Sequence, residues 1–385
     1  MYLEGPAQKN NYFQSVSLLL GVSLLPVYVF ASGGMQPSHF FLAVFFVVTL
    51  FSKGFKADLL FLFFGFFVAY VFFVEGMYCI FGYDYKYLIN GFFYLYNLLF
   101  YLAVMRHVED YGVKVILVGV GIASLIALFT VMSKGVSFQV GSEAGRSVGS
   151  FNNPNQLGYF SVCILSLGYL FYRLGEIKYW QAFFFFLVAM FFSVVSLSKA
   201  AMISNFIVAL IAVKPFSGSS AGNFKSFLVA LVWMFIGFLA VVSLVLFFYS
   251  SGGQDYIFVQ RIQGMAEESD SSLAARGYFA FLEGDWFELL FGLGSHQVYD
   301  LVGHEVHSTI GSVFNSYGFI GSALFLSFFM IWFVRLYRAF GMSGLVCVAG
   351  PAMLYGITHN GARFVVFWLL FSLSMAVSYS YRARN

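Results

Sequence analysis

The chain has 385 residues, of which 61% are hydrophobic, 22% aromatic and only 10% charged, with a formal net charge of +3. Such a balance excludes an ordinary soluble domain and indicates a polytopic membrane protein in contact with the lipid bilayer. The basic residues form no run, which argues against nucleic acid as a partner. Cys79, Cys163 and Cys347 are isolated, so neither a disulfide framework nor a Cys/His metal cluster is supported.

Residues Met1 to Tyr12 are polar and run into a long apolar segment without a small-residue cleavage signature. The first hydrophobic stretch is therefore expected to be an uncleaved helix that serves as its own signal. Runs long enough to cross a bilayer follow at about twelve places: 13–31, 39–52, 57–75, 88–105, 113–132, 155–172, 180–198, 199–213, 226–249, 308–334, 343–357 and 364–380. The second and eighth are short, and the seventh and eighth touch at Ser198-Lys199. The expected fold is an all-α polytopic integral membrane protein. Residues 1–249 carry the first nine spans, 250–307 form one long loop with short helices, and 308–385 carry the last three spans and a tail. Aromatic belts at the two interfaces are expected to absorb part of the Phe and Tyr content. No internal repeat is visible.

Basic residues set the expected orientation. With a cytoplasmic N-terminus, the inside holds Lys9, Lys53, Lys56, Arg106, Lys114, Arg173, Lys178, Lys214, Lys225, Arg335, Arg338, Arg382 and Arg384, thirteen of the 20 Lys and Arg. The outside holds Lys86, Lys134, Arg146, Lys199, Arg261, Arg276 and Arg363. Unusual polar features then fall on the outer face: the 133–154 loop, the Ser198-Lys199 joint, the 250–307 loop, and the run from Thr358 to Arg363.

Four constellations carry candidate chemistry. The first is Gly145-Arg146-Ser147-Val148-Gly149-Ser150-Phe151-Asn152-Asn153-Pro154-Asn155-Gln156. Backbone rich in Gly, Asn and Pro cannot lie bare against lipid. The Arg146 guanidinium suits a phosphate through a bidentate fork, with Asn152 and Asn155 as further donors and Pro154 shaping the next helix; the alternative is an interfacial arginine that snorkels. The second is His307, at the head of a helix with Gly311, Gly318 and Gly321 near one face. It is either a general base near neutral pH or a marker of the water boundary, as His296 and His304 also could be. The third comprises Arg276, in an amphipathic stretch, and Arg261. Each either holds a diphosphate or is a solvated loop charge. The fourth is Lys199, a cation between two abutting spans, which either faces a polar ligand or snorkels. No tight acidic pair stands early in the outer loops, where only the isolated Glu75 and Asp84 occur, and Glu268-Ser269-Asp270 reads as a solvated turn. Walker A, GxSxG, HExxH and Rossmann patterns are absent.

With these residues assembled, the chain resembles the O-antigen ligase/polymerase superfamily of bacterial envelope enzymes. Three blocks carry the likeness: Gly145 to Asn155; Arg276 followed by Phe291-Gly292-Leu293-Gly294; and His307 with Gly318 and Gly321. Two departures stand out. Ser308 follows the histidine where the family often has Asn, and Ser198-Lys199 replaces a Ser-Arg joint. The resemblance implies a GT-C-like membrane glycosyltransferase in the bacterial inner membrane, with cytoplasmic termini and a site facing the periplasm. It implies neither metal nor other cofactor. The donor would be an undecaprenyl-diphosphate-linked glycan. The acceptor would be another lipid-linked glycan for a polymerase, or lipid A–core for a ligase, with a chain-length regulator as a further candidate partner. In this reading His307 accepts the acceptor proton, and Arg276, Arg146, Arg261 and Lys199 hold the diphosphate. The rival class is a non-enzymatic lipid or polysaccharide transporter. Charges gathered on one face, rather than at mid-membrane, speak against it.

Overall fold

The structure, a computed structural model, describes residues 12–30, 34–54, 57–81, 85–133, 148–216, 285–303 and 306–382. Every regular element among them is helical. In chain order these are α1 (Tyr12–Ser23), α2 (Pro37–Lys53), α3 (Leu59–Ile80), α4 (Leu88–Tyr111), α5 (Lys114–Ser133), α6 (Pro154–Arg173), α7 (Tyr179–Val195), α8 (Lys199–Phe216), α9 (Trp286–Phe291), α10 (Ser295–Val302), α11 (Thr309–Gly344), α12 (Gly350–Thr358) and α13 (Val365–Arg382). Four runs are long and apolar enough to cross a membrane: Leu59–Ile80, Leu88–Tyr111, Lys114–Ser133 and Thr309–Thr358. Shorter apolar helices accompany them at α1, α2, α7, the first part of α8, and most of α13. The expected span 226–249 and the first part of the expected loop subdomain lie outside the described residues.

Helix starts follow local chemistry. Pro37 and Pro154 stand in the first turn of their helices, where a missing N–H costs nothing. Side chains of Asp58, Asn153, Asp285 and Ser308 accept the free amides of α3, α6, α9 and α11. Ser308 thus works as a helix cap.

The core is an aromatic stack rather than an aliphatic one. Phe64 stacks on Phe328, at 4.7 Å, and on Trp368, at 5.1 Å, and those two rings lie 6.5 Å from each other, so the three form a triangle. Phe67, Phe325, Phe329, Trp332 and Phe371 pack around them, all buried. Both buried indoles find acceptors: Trp332 Nε1 donates to Ser374 Oγ at 2.8 Å and Trp368 Nε1 to the Ala362 carbonyl at 2.7 Å. Lipid is as apolar as Leu, so helices associate through close packing and a few polar bonds, and offset rings supply both. Many phenylalanines therefore sit inside, where aromatic belts alone would have left them at the surface.

Helix α6 is buried along nearly its whole length and packs on α7, α8, α12 and α13. Protein rather than lipid surrounds it, which lets it carry polar residues such as Ser161, whose Oγ accepts from Asn205 Nδ2 at 3.1 Å.

Boundaries differ from the sequence reading in several places, and α4 runs on to Tyr111 where 105 was expected. Helix α1 ends at Ser23, well short of residue 31. Helix α3 continues to Ile80, so Glu75 is a buried helical residue and not a loop acid. The expected span 308–334 is broken at Gly318 (φ 61°), and a second break follows at Gly341 (φ 69°). Residues 319–340 then form a segment about 33 Å long, enough to cross a hydrocarbon core of about 30 Å. Residues 309–317 form a separate short helix at its head. Glycine alone takes this backbone without strain, and apolar periodicity continues through it.

Candidate functional site

Polar side chains separate to the two ends of the bundle. At one end α6, α8 and α11 all present their N-termini, together with the C-terminus of α12 and the turn Gly361–Arg363. Segments far apart in sequence meet there. Tyr355 Oη donates to the Asn155 carbonyl at 2.6 Å, and Ser198 Oγ lies 3.5 Å from the same hydroxyl. The Tyr355 ring packs on Tyr159 and on His359, each at 4.8 Å between centroids. Thr309 Oγ1 sits between the His359 carbonyl, at 3.4 Å, and the Ala362 amide, at 3.3 Å. These bonds tie the start of α6, the α7–α8 turn, the head of α11 and the His359–Arg363 turn into one cluster.

The rim of this cluster is cationic. Lys199, His307 and Arg363 are exposed, and Asn152, Asn155, His359 and Asn360 are half-buried. Arg363 also lines a small cavity with Tyr28, His39, Phe151 and Gln156, so it reaches toward the α1–α2 side. Three helix N-termini add positive partial charge and inward-lying amides at the same end, the usual setting for an anion.

The α7–α8 turn is locally costly. Leu197 is the one non-glycine residue with positive φ among the described residues, at 48°, and it is buried. A bulky residue there costs about 1–3 kcal/mol. Lys199 stands in the first turn of α8, where the helix dipole disfavours a cation by about 0.3–1 kcal/mol at the surface. Two locally unfavourable choices in one turn are the pattern of a site kept for function. An anion at this turn would reverse the second of them.

The sequence-predicted residues divide as follows. Arg146, Arg261 and Arg276 lie outside the described residues. Lys199 and the head of the His307 helix fall in the same cluster as Asn155. Asn152 stands beside it, its side-chain amide donating to the Phe30 carbonyl at 2.7 Å and its backbone N–H to Gln156 Oε1 at 3.1 Å. This residue ties the α1–α2 connection to the start of α6. Tyr355 and Thr309 hold the cluster together and were not singled out from the sequence. The signal available was a hydroxyl-bearing aromatic just ahead of the polar run from Thr358 to Arg363.

Two motif blocks interlock physically. Backbone amides of Leu293 and Gly294 donate to the carbonyls of Asn315 and Ser316, each at 3.0 Å. Gly292 (φ 92°) and Gly318 (φ 61°) face each other so closely that a Cβ on Gly292 would strike the Ser316 carbonyl and one on Gly318 the Leu290 carbonyl. The Phe291–Gly294 turn therefore fills the gap that the break at Gly318 opens, and it satisfies carbonyls that a continuous helix would have bonded internally.

The opposite end is built from ion pairs and phenol–carboxylate bonds. Lys53 Nζ lies 3.3 Å from Asp110, and Arg106 reaches Glu109 at 3.1 Å and Asp110 at 3.6 Å. Asp58 accepts from Tyr379 at 2.6 Å and Tyr101 at 2.9 Å, with Arg335 stacked over Tyr379 at 4.1 Å. Arg173 donates to Tyr169 and Ser343, each at 3.0 Å.

No protein-family model matches the chain, and no curated protein matches it.

Proposed function

We propose that this protein is a membrane glycosyltransferase of the O-antigen polymerase or ligase type. It moves a glycan from undecaprenyl diphosphate to a sugar hydroxyl at the outer face of the bacterial inner membrane. The observation that carries this reading is the gathering of Asn155, Lys199, His307 and Arg363 at one end of the bundle from four distant parts of the chain. An exposed imidazole beside cations and helix N-termini suits a reaction whose leaving group is an anion. The interlocking of the Phe291–Gly294 turn with the break at Gly318 supports the likeness further, since those two blocks belong to the same motif set.

Basic residues orient the molecule in this proposal. Arg106, Arg173, Arg335 and Arg338 lie toward the ion-paired end, which is placed in the cytoplasm, and the His307 end faces the periplasm. We take the number of spans as about twelve, with residues 226–249 completing the alternation.

The proposed step is an inverting displacement. His307 accepts the proton of the acceptor hydroxyl, whose oxygen attacks the donor's anomeric carbon from the face opposite the diphosphate. The bond between that carbon and the phosphate oxygen breaks, and undecaprenyl diphosphate leaves with the electron pair. Arg276, Arg146, Arg261 and Lys199 stabilise the charge it gains. Polymerisation is preferred to ligation. A deletion strain decides between them: one attached unit without chain length means polymerase, and loss of all attachment means ligase. The test of the class is transfer by purified protein from a lipid-diphosphate glycan in detergent, with no gradient. Wild-type-like product from both His307→Ala and Arg276→Ala would overturn the assignment.

A further inference from the structure

Glu75 has no part in the chemistry proposed above, yet its position is unusual. It is fully buried in α3, about 25 Å along that helix from Asp58. Its Oε1 accepts from Tyr317 Oη at 3.0 Å and from the Ser295 backbone amide at 3.3 Å. Side chains of Ser295 and Asn90 also lie against the carboxyl. Burying a carboxyl at this depth is expensive and is tolerated only where it organises something.

Both partners lie at the junction between α11 and the α9–α10 segment. Tyr317 is the last residue before the break at Gly318. Ser295 opens α10, directly after the Phe291–Gly294 turn that fills the break. One carboxyl oxygen therefore bonds both sides of the junction. Two more phenols of α3 fasten the same turn: Tyr70 Oη donates to the Phe291 carbonyl at 3.2 Å and Tyr78 Oη to the Gly292 carbonyl at 3.0 Å. A helix broken by glycine has no internal bonds to set the angle between its halves. External bonds must set it, and the half above this break carries Thr309 and follows directly on His307.

We propose that Glu75 is a positioning residue. Its carboxyl fastens the α9–α10 segment across the break in α11 and so fixes where the head of α11 holds His307. The catalytic consequence rests on the glycosyltransferase reading, whereas the fastening does not. Glu75→Gln keeps an Oε1 acceptor for the Tyr317 hydroxyl and the Ser295 amide and exchanges the other oxygen for an amide. Glu75→Ala removes the fastening altogether.

Hydrogen exchange read by mass spectrometry, on the full chain in lipid nanodiscs, tests the fastening without any activity. A lost bond of about 1 kcal/mol speeds local exchange about fivefold. Glu75→Ala is expected to raise exchange across residues 292–298 by at least about fivefold, with 319–340 unchanged, and Glu75→Gln is expected to restore protection. In the transfer assay the alanine variant should lose at least about tenfold in kcat, and the glutamine variant should recover most of it. Wild-type protection in Glu75→Ala, or a glutamine variant as exchangeable as the alanine one, overturns the proposal. Should Glu75→Ala lose protection everywhere, Tyr317→Phe releases the α11 side of the fastening alone; normal protection across 309–317 in that variant is then the overturning result. A wild-type protein that transfers no glycan defeats the proposed function and leaves the exchange experiment to judge the fastening alone.

Discussion

The two ends of this bundle are made of similar polar residues and use them in opposite ways. At the end holding Asp58, Asp110, Arg106 and Arg335, acids and bases meet within 4 Å or share phenols, so charge is satisfied inside the protein. At the end holding Lys199, His307 and Arg363, two cations and an imidazole stand exposed around a cluster joined by neutral groups: Tyr355, Ser198, Thr309 and backbone carbonyls. Charge kept paired stabilises a fold, modestly at a surface. Charge exposed beside helix N-termini is suited to an anion. The difference teaches that burial and ion pairs mark one end, whereas exposure, strain at Leu197 and a cation at a helix start mark the other, where the proposed site lies.

Substitutions can break that contrast. The largest effect is expected at the open end, where His307→Ala should lower glycan transfer by about 10²–10⁴, and Arg276→Ala by about 10²–10³. Protein level and thermal midpoint should stay near wild type, as measured by immunoblot and by fluorescence during heating. Loss of folded protein in step with activity would make that end structural after all.

Lys199→Ala comes next. A fall of about 10² in initial rate is expected from removing one such donor, with a thermal midpoint within a few degrees of wild type, because the residue is exposed. Lys199→Arg should keep part of the rate. If Lys199→Ala melts much earlier than wild type, the lysine is a structural anchor and the comparison fails at that point.

At the paired end the signs reverse. Asp58→Ala removes the acceptor of two phenols and of the Phe61 amide, and should cost about 3 kcal/mol of stability, read as a lower thermal midpoint. The rate per folded molecule should not change.

Two smaller effects sharpen the picture. Tyr355→Phe deletes one short bond to Asn155 and should cost about 1 kcal/mol, with less than about tenfold in rate. Neutralising Lys53 and Asp110 together should cost less than about 1 kcal/mol and leave transfer untouched. A larger rate loss from that pair than from Tyr355→Phe would undo the assignment of the two ends.

How far the sequence could be read differs from residue to residue. Apolar runs marked the places of α2 to α8 and α13, because a membrane-sized stretch of Phe, Leu and Val has few other fates. Ser198-Lys199 was legible as a joint, though not as a strained turn, since nothing about Leu197 in sequence signals positive φ. Gly318 was legible as a close-packing glycine, yet the break was not. Glu75 read as an isolated loop acid because the hydropathy of α3 falls away before the helix does. Tyr355 gave only the weak sign of its place ahead of the polar run from Thr358, and Thr309 gave none, since their partners lie 200 and about 50 residues away.

Composition and periodicity alone determined that the chain is helical with segments long and apolar enough to cross a membrane, because both follow from the cost of placing peptide groups and side chains in hydrocarbon one segment at a time. Which helix ends share a rim, how the Phe291–Gly294 turn closes the gap at Gly318, and why a carboxyl is buried at Glu75 were decided only by the tertiary structure. Those features depend on bonds between segments whose separation along the chain carries no local energetic trace.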